Sequence, residues 1–204
     1  MLTRDTLALG LARIAAHMES VADELNALDG KLGDGDLGVT MVRGGREVTA
    51  LLPALPADLG QALMQVAQGF TRTSGSSFGT LTATGLMAAA KAVKGREEVA
   101  WSELPDLLGA AFEMMRTRGK AALGDKTVLD VIHAAAEASR GLDDPEAILQ
   151  AMTAAVDRTM DDMRGQEARI GRARIFGEKS KGLDDPGMLA FRHMLRGLEE
   201  QDKG

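Results

Sequence analysis

Apolar residues return along this chain at intervals of three and four, not two. Leu7, Leu11, Ile14, Met18, Val21 and Leu25 form one such series, and their spacing predicts an amphipathic helix over residues 3–26 with a single buried stripe. The same rhythm predicts helices near 39–52, 57–73, 79–94, 102–118, 127–140, 145–164 and 187–200. Leu104, Leu107, Leu108, Ala111, Met114 and Met115 carry it in one of them, and Met188, Phe191, Leu195 and Leu198 in the last. These eight helices leave no stretch with the strict alternation of a strand. Most connections are short, which favours antiparallel neighbours. The expected fold is therefore all-α, an eight-helix antiparallel up-and-down bundle or closed barrel formed by residues 1–204 as a single domain.

Four connections depart from that economy: 27–38, 72–79, 119–126 and 165–187, all rich in glycine and polar residues. They follow the first, third, fifth and seventh predicted helices. In an up-and-down array alternate connections share an end, so all four are expected on one face, which makes that face the candidate site.

Composition supports the helical reading. Apolar residues make up 45% of the chain but aromatics only 3%, and a palette of Ala, Leu, Met and Val favours helix over sheet. No apolar run approaches the ~20 residues of a membrane span, and charges interrupt the N-terminal stretch, so neither a membrane segment nor a signal peptide is expected, and the expected compartment is the cytoplasm. The chain has no cysteine, which rules out disulfides and thiolate metal sites. A net charge of −6 argues against a nucleic-acid partner, since phosphate backbones call for a basic face.

The first unusual connection, LDGKLGDGDLG (28–38), sets Asp29, Asp34 and Asp36 among glycines. Three carboxylates on a tight turn could hold one or two Mg²⁺ ions, which take oxygen ligands and usually one or two carboxylates with water and phosphate. The plainer reading is a solvated loop, or an N-cap for the helix that follows; Asp29, coming off an apolar helix, favours the metal. An EF-hand is excluded: counted from Asp34, Gly38 stands at the fifth position and Gly45 at the twelfth, where ligands are needed.

The other three connections are individually weak signals. TSGSSFGT (73–80) offers hydroxyls and backbone N–H groups ahead of a helix, suited to phosphate oxygens or simply to capping. No Walker A pattern occurs. GDKTVLD (124–130) reads as a helix start with Asp125 as the cap. GRARIFGEKSK (171–181) gathers Arg172, Arg174, Lys179 and Lys181 without periodicity. GLDDP occurs at 141–145 and again at 182–186, each time placing Asp to cap a helix and Pro in its first turn. His17, His133 and His193 fall on helices outside the four loops and read as satisfied structural or surface histidines. Trp101 reads as packing.

Taken together and in order, LDGKLGDGDLGVTM, SGSSFGT, RGKAALGDKTVLD and GRARIFGEKSKGLDDPG resemble the nucleotide-binding L subunit of dihydroxyacetone kinases, over nearly the whole chain. The resemblance implies an eight-helix barrel that binds ADP or ATP at one end through two Mg²⁺ ions held by Asp29, Asp34 and Asp36, the residues on which phosphoryl transfer depends. It places nucleotide contacts at Leu37, Gly38, Val39, Thr40, Thr73, Ser74, Gly119, Val128, Arg172, Asp185, Pro186 and Gly187. It further implies a separate K subunit that holds the sugar, and either direct use of ATP or rephosphorylation of bound ADP by a phosphotransferase-system protein. Leu37 and Leu183 stand where the family typically has histidine, which points to a related small ketose, such as a tetrulose, as another acceptor. A non-catalytic Mg–ADP-binding regulator is the alternative.

Overall fold

The structure, a computed structural model, describes residues 1–73 and 76–199. Among these residues it has nine α-helices: α1 (Arg4–Ser20), α2 (Ala22–Leu32), α3 (Leu37–Leu51), α4 (Leu59–Thr73), α5 (Ser77–Ala92), α6 (Leu104–Gly119), α7 (Val128–Ser139), α8 (Pro145–Arg164) and α9 (Pro186–Glu199). Short 3-10 segments lie at Leu52–Ala54, Trp101–Glu103 and Arg172–Ser180. Two two-residue strands, β1 (Leu2–Thr3) and β2 (Glu98–Val99), pair antiparallel, a sheet that the helical periodicity did not predict.

The helices close into a ring. From α3 to α9 each packs on the next, and α1 closes the circuit by packing on both α3 and α9. The expected all-α barrel is what the chain forms, with one correction. The first predicted helix is two, broken at Val21, and α2 continues to Leu32. Ser20 Oγ donates to the His17 carbonyl at 2.7 Å, and a serine that competes for a helix carbonyl loosens and bends the helix there. The apolar stripe runs through the break unchanged, because Met18 and Leu25 on either side are both fully buried; periodicity therefore cannot register it.

The main core runs through the barrel, with Met41, Val66, Leu129, Val156, Met160 and Met188 among its buried side chains. A second cluster, Leu59, Leu63, Ala90, Val93 and Val99, seals the end where β1 and β2 pair. Between α1, α5, α6, α7 and α9 the barrel leaves an apolar pocket of about 360 Å³, lined by residues such as Leu11, Leu86, Leu108, Ile132 and Phe191. Phe78 and Val128 line both this pocket and a second cavity, with acidic residues in its wall, at the opposite end from the strands, and so separate the two. No helix among the described residues is long and apolar enough to cross a membrane.

Candidate functional site

The acidic corner is built by the end of α2 and the start of α3. Asp29 sits in the last turn of α2, so it is helical, not part of a loop. Gly35, at φ +77, makes the turn in the left-handed region that glycine tolerates. The chain then returns so that Asp29 Oδ2 accepts from the backbone N–H groups of Asp36 at 3.0 Å and Leu37 at 3.2 Å. Asn26 Oδ1 accepts from Val39 N at 3.2 Å. Two side chains of α2 thus satisfy the free N–H groups of α3. Gly38 makes this approach possible: a Cβ there would lie 2.1 Å from the Ala22 carbonyl oxygen.

Asp36 occupies the N-cap position of α3 yet makes no side-chain cap hydrogen bond, because Asp29 has taken that role from seven residues upstream. The capping explanation of the turn therefore applies to Asp29 alone. Asp34 and Asp36 stay exposed, and oxygens of all three carboxylates lie within 4.8 Å of one another. Arg172 reaches over to form an ion pair with Asp34. A set of three carboxylate oxygens with no nitrogen or sulfur donor suits a hard cation such as Mg²⁺. It also brings like charges together, so a cation here lowers their mutual repulsion.

The other three connections converge on the same place. A cavity of about 450 Å³ is lined by the three aspartates and Leu37, by Ser76, Ser77 and Phe78, by Arg118, Gly119, Thr127 and Val128, and by Ile170, Gly171, Arg172, Asp185, Pro186 and Gly187. Its size is that of a small-molecule site. Local capping explains how each wall is held. Ser76 accepts from Gly79 N at 3.0 Å to start α5. Thr127 accepts from Leu129 N at 3.2 Å, and Asp130 returns the favour to Thr127 N at 2.8 Å and to Gly124 N at 2.6 Å. Asp125, the expected cap of α7, instead closes its own turn by accepting from Ala122 N at 2.8 Å.

The two GLDDP copies do the same local work: Asp144 caps α8 through Ala147 N at 2.8 Å, and Asp185 caps α9 through Met188 N at 3.0 Å. Only the second copy lines the cavity. There, removal from water pushes the Asp185 carboxyl up to about 6, against the pull of the Met188 and Gly187 N–H groups and of Lys126.

Of the residues named from sequence, the aspartates, Leu37, Gly119, Val128, Arg172, Asp185, Pro186 and Gly187 all line this cavity. Gly38, Val39 and Thr40 stand in the first turn of α3 and are not part of the lining. Ser74 lies outside the described residues, as does the side chain of Thr73. Phe78, Arg118 and Ile170 are lining residues that sequence reasoning missed. Phe78 carried a faint signal, being one of only 5 phenylalanines and flanked by the glycine and serines of its loop. Arg118, in the last turn of α6, looks in sequence like any helix-ending cation. None of the three histidines lines the cavity; His193, 4% exposed, sits between His17 and Glu24, with 3.1 Å from its Nδ1 to His17 Nε2 and 3.3 Å from its Nε2 to Glu24.

Residues 31–200 match the family model described as the DAK2 domain. This chain belongs to the DAK2 domain family. It is 34% identical over 204 residues to human triokinase/FMN cyclase, a match that takes in 95% of this chain and 34% of that protein. The chain thus spans about a third of the length of such mammalian DAK2 relatives. It is 30% identical over 203 residues to the ADP-binding subunit DhaL of the PEP-dependent dihydroxyacetone kinase of Escherichia coli K12, covering 97% of this chain and 96% of that subunit. The fold matches dihydroxyacetone kinase of C. freundii in its native form, with a TM-score of 0.76 at 25% identity, covering 95% of this chain and 34% of that one. A second structure of that kinase, in complex with AMP-PNP and Mg²⁺, matches with a TM-score of 0.75 at 24% identity.

Proposed function

We propose that this DAK2 chain is the nucleotide-binding subunit of a kinase for dihydroxyacetone or a related small ketose, with residues 1–204 acting as one unit. The observation that carries this reading is the cluster of three carboxylates facing Arg172 at the rim of a cavity built from all four unusual connections. Its support from relatives is the full-length likeness to a subunit named as ADP-binding in a dihydroxyacetone kinase.

In this reading Asp29, Asp34 and Asp36 hold two Mg²⁺ ions. Bound there, the metal supplies neutralisation of phosphate charge, which is most of what phosphoryl transfer asks of a protein. Arg172 turns from Asp34 toward the phosphates. Ser76 and Ser77, at the N-terminal end of α5, present hydroxyl and N–H groups to the same anion, with Thr73 and Ser74 preceding them. Val128 and Gly119 offer apolar surface and close approach to the adenine, and Asp185, Pro186 and Gly187 complete the cavity wall. Leu37, Gly38, Val39 and Thr40 extend the acidic turn into α3. The acceptor hydroxyl comes from a separate K subunit docked over this face. The phosphoryl donor is ATP, or a phosphotransferase-system protein acting on bound ADP. Leu37 in the lining leaves room for an acceptor other than dihydroxyacetone.

The test begins with the purified chain, denatured and analysed for released adenine nucleotide and Mg²⁺. ADP near one per chain with about two Mg²⁺ is expected if the nucleotide is a held cofactor, and reversible binding of Mg–ATP to an empty chain if ATP is the direct donor. A chain that takes up neither ligand overturns the proposal. Asp34→Asn in the complex reconstituted with a K subunit is expected to lose phosphorylation of dihydroxyacetone. Full activity of that variant would remove the acidic cluster from the mechanism.

A further inference from the structure

Lys126 is 1% exposed and is the largest side chain buried to that degree in the described protein. Its backbone stands at φ +61, one of two non-glycine residues with positive φ among the described residues, a conformation that persists only where the surroundings enforce it. What enforces it is visible at the other end of the side chain. Nζ donates to three backbone carbonyls, Arg164 O at 3.1 Å, Gln166 O at 2.8 Å and Ser180 O at 2.9 Å. An ammonium has three N–H donors, and each is used.

Those acceptors lie at the two ends of a single loop. Arg164 and Gln166 mark where α8 stops, and Ser180 ends the 3-10 segment Arg172–Ser180. The lysine's neighbour ties the middle: Asp125 O accepts from Arg169 N at 3.1 Å. Between the tied ends lie Ile170, Gly171 and Arg172, which face the cavity, and the guanidinium of Arg172 rests on Asp34. The loop contributes only a small apolar cluster, Ala168 and Ala173 against Leu32 with Phe176 partly buried beside them. Its position over the site therefore leans on polar ties, these together with Gly182 N to Arg164 O at 2.8 Å and Ala168 N to Ser180 Oγ at 2.9 Å. Removal from water pulls the Lys126 pKa down, while Asp185 and Asp184 pull it up, and the carbonyl end of α8 favours a cation there.

We infer that Lys126 is a positioning residue: it clasps both ends of the 165–181 loop and thereby presents Arg172 to the anionic ligand of the acidic cavity. The inference rests on the nucleotide-binding reading above for its ligand, and on geometry alone for the clasp. Lys126 touches no ligand itself; it acts through Arg172.

Two measurements separate the clasp from the ligand. Limited trypsin digestion reads the clasp without any nucleotide. In Lys126→Met, which removes all three charge-assisted hydrogen bonds of Nζ, cleavage after Arg169, Arg172, Arg174 and Lys179 is expected to quicken about tenfold or more, with cleavage outside the 165–181 loop unchanged. An unchanged digestion pattern overturns the clasp whether or not the chain binds nucleotide. Titration calorimetry with Mg–ADP then reads its consequence. Lys126→Met and Arg172→Ala are each expected to weaken binding about tenfold, and the double variant no more than either alone, because both remove the same contact. A hundredfold loss in the double variant, or unaltered affinity in Lys126→Met, overturns the positioning role. A wild-type chain that binds no Mg–ADP defeats the nucleotide reading and leaves the trypsin result to decide the clasp. Lys126→Gln, which keeps two donors, serves where the methionine variant fails to fold. If neither variant folds, the residue is a global support of the barrel and the inference is wrong.

Discussion

Asp29 Oδ2 holds the first N–H groups of α3, while the other oxygen of the same carboxylate lies over Gly33, where a Cβ would come within 2.5 Å of it. The same side chain therefore serves the fold and would serve the proposed metal, whereas Asp36, with no cap hydrogen bond, would serve only the metal. This separates their variants. Without Mg²⁺, Asp29→Ala is expected to lower stability by about 1 kcal/mol, the usual worth of a helix cap, and Asp36→Ala to leave it unchanged or raise it slightly by relieving like-charge repulsion. Asp29→Asn keeps an oxygen for the cap and loses the charge, so it should retain stability yet bind Mg²⁺ poorly. Urea unfolding of the metal-free variants, with Mg²⁺ titrations alongside, reads both effects. Equal destabilisation by Asp29→Ala and Asp36→Ala would contradict the division of roles.

At the scale of elements, connections decide more than helices do. The far end of the barrel is closed by the turn after α5, where Arg96 forms paired hydrogen bonds of 2.7 and 2.8 Å with Glu103 just ahead of α6. The Arg96 guanidinium, helped by the Ala100 N–H, holds the Glu103 carboxyl down at about 2 against an ordinary 4.5. A lowered folded pKa means that the unfolded chain takes up a proton first as acid is added. The pair's contribution is thus fully present above pH 4.5 and is lost as pH falls toward about 2. Arg96→Met is expected to lower the thermal midpoint at pH 7, to match the wild type near pH 2, and so to show a shallower acid limb. Parallel melting curves for the two chains across that range would show the pair to be idle.

For the whole molecule, the four connections make one surface only because the ring closes. Ligand binding to that surface should stabilise the barrel as a unit, since the walls belong to α2, α3, α5, α6, α7 and α9. With Mg–ADP at a hundred times its Kd the gain is about 2.7 kcal/mol, and a chelator should abolish it if the carboxylates hold the nucleotide through metal. Thermal melts with Mg–ADP, with ADP and chelator, and with Mg–ADP on Asp34→Asn provide the comparison. A gain from ADP that survives the chelator would place the nucleotide elsewhere.

Much of this arrangement was legible in the chain itself. Apolar spacing located α3 to α9 to within about two residues, since burial of one face is a local, periodic demand. Counting connections put 27–38, 72–79, 119–126 and 165–187 at one end, and the acid-rich turn marked the chemistry. What the pattern could not express is any choice made between distant segments. The break at Val21 is hidden because both halves keep the same buried stripe. Asp29 rather than Asp36 caps α3 because the backbone turns back at Gly35. The two GLDDP copies are alike locally, and only closure of the barrel puts Asp185 in the cavity wall and leaves Asp144 outside it. Lys126 reads as a surface cation until the carbonyls that bury it, 38, 40 and 54 residues further on, are brought to it. The sequence by itself determined the helices and the acidic turn, because periodic burial and short-range turns are written in neighbouring residues. Tertiary structure alone decided which charges are buried, which caps are used and which loop faces the site, because those depend on partners that meet only when the ring is closed.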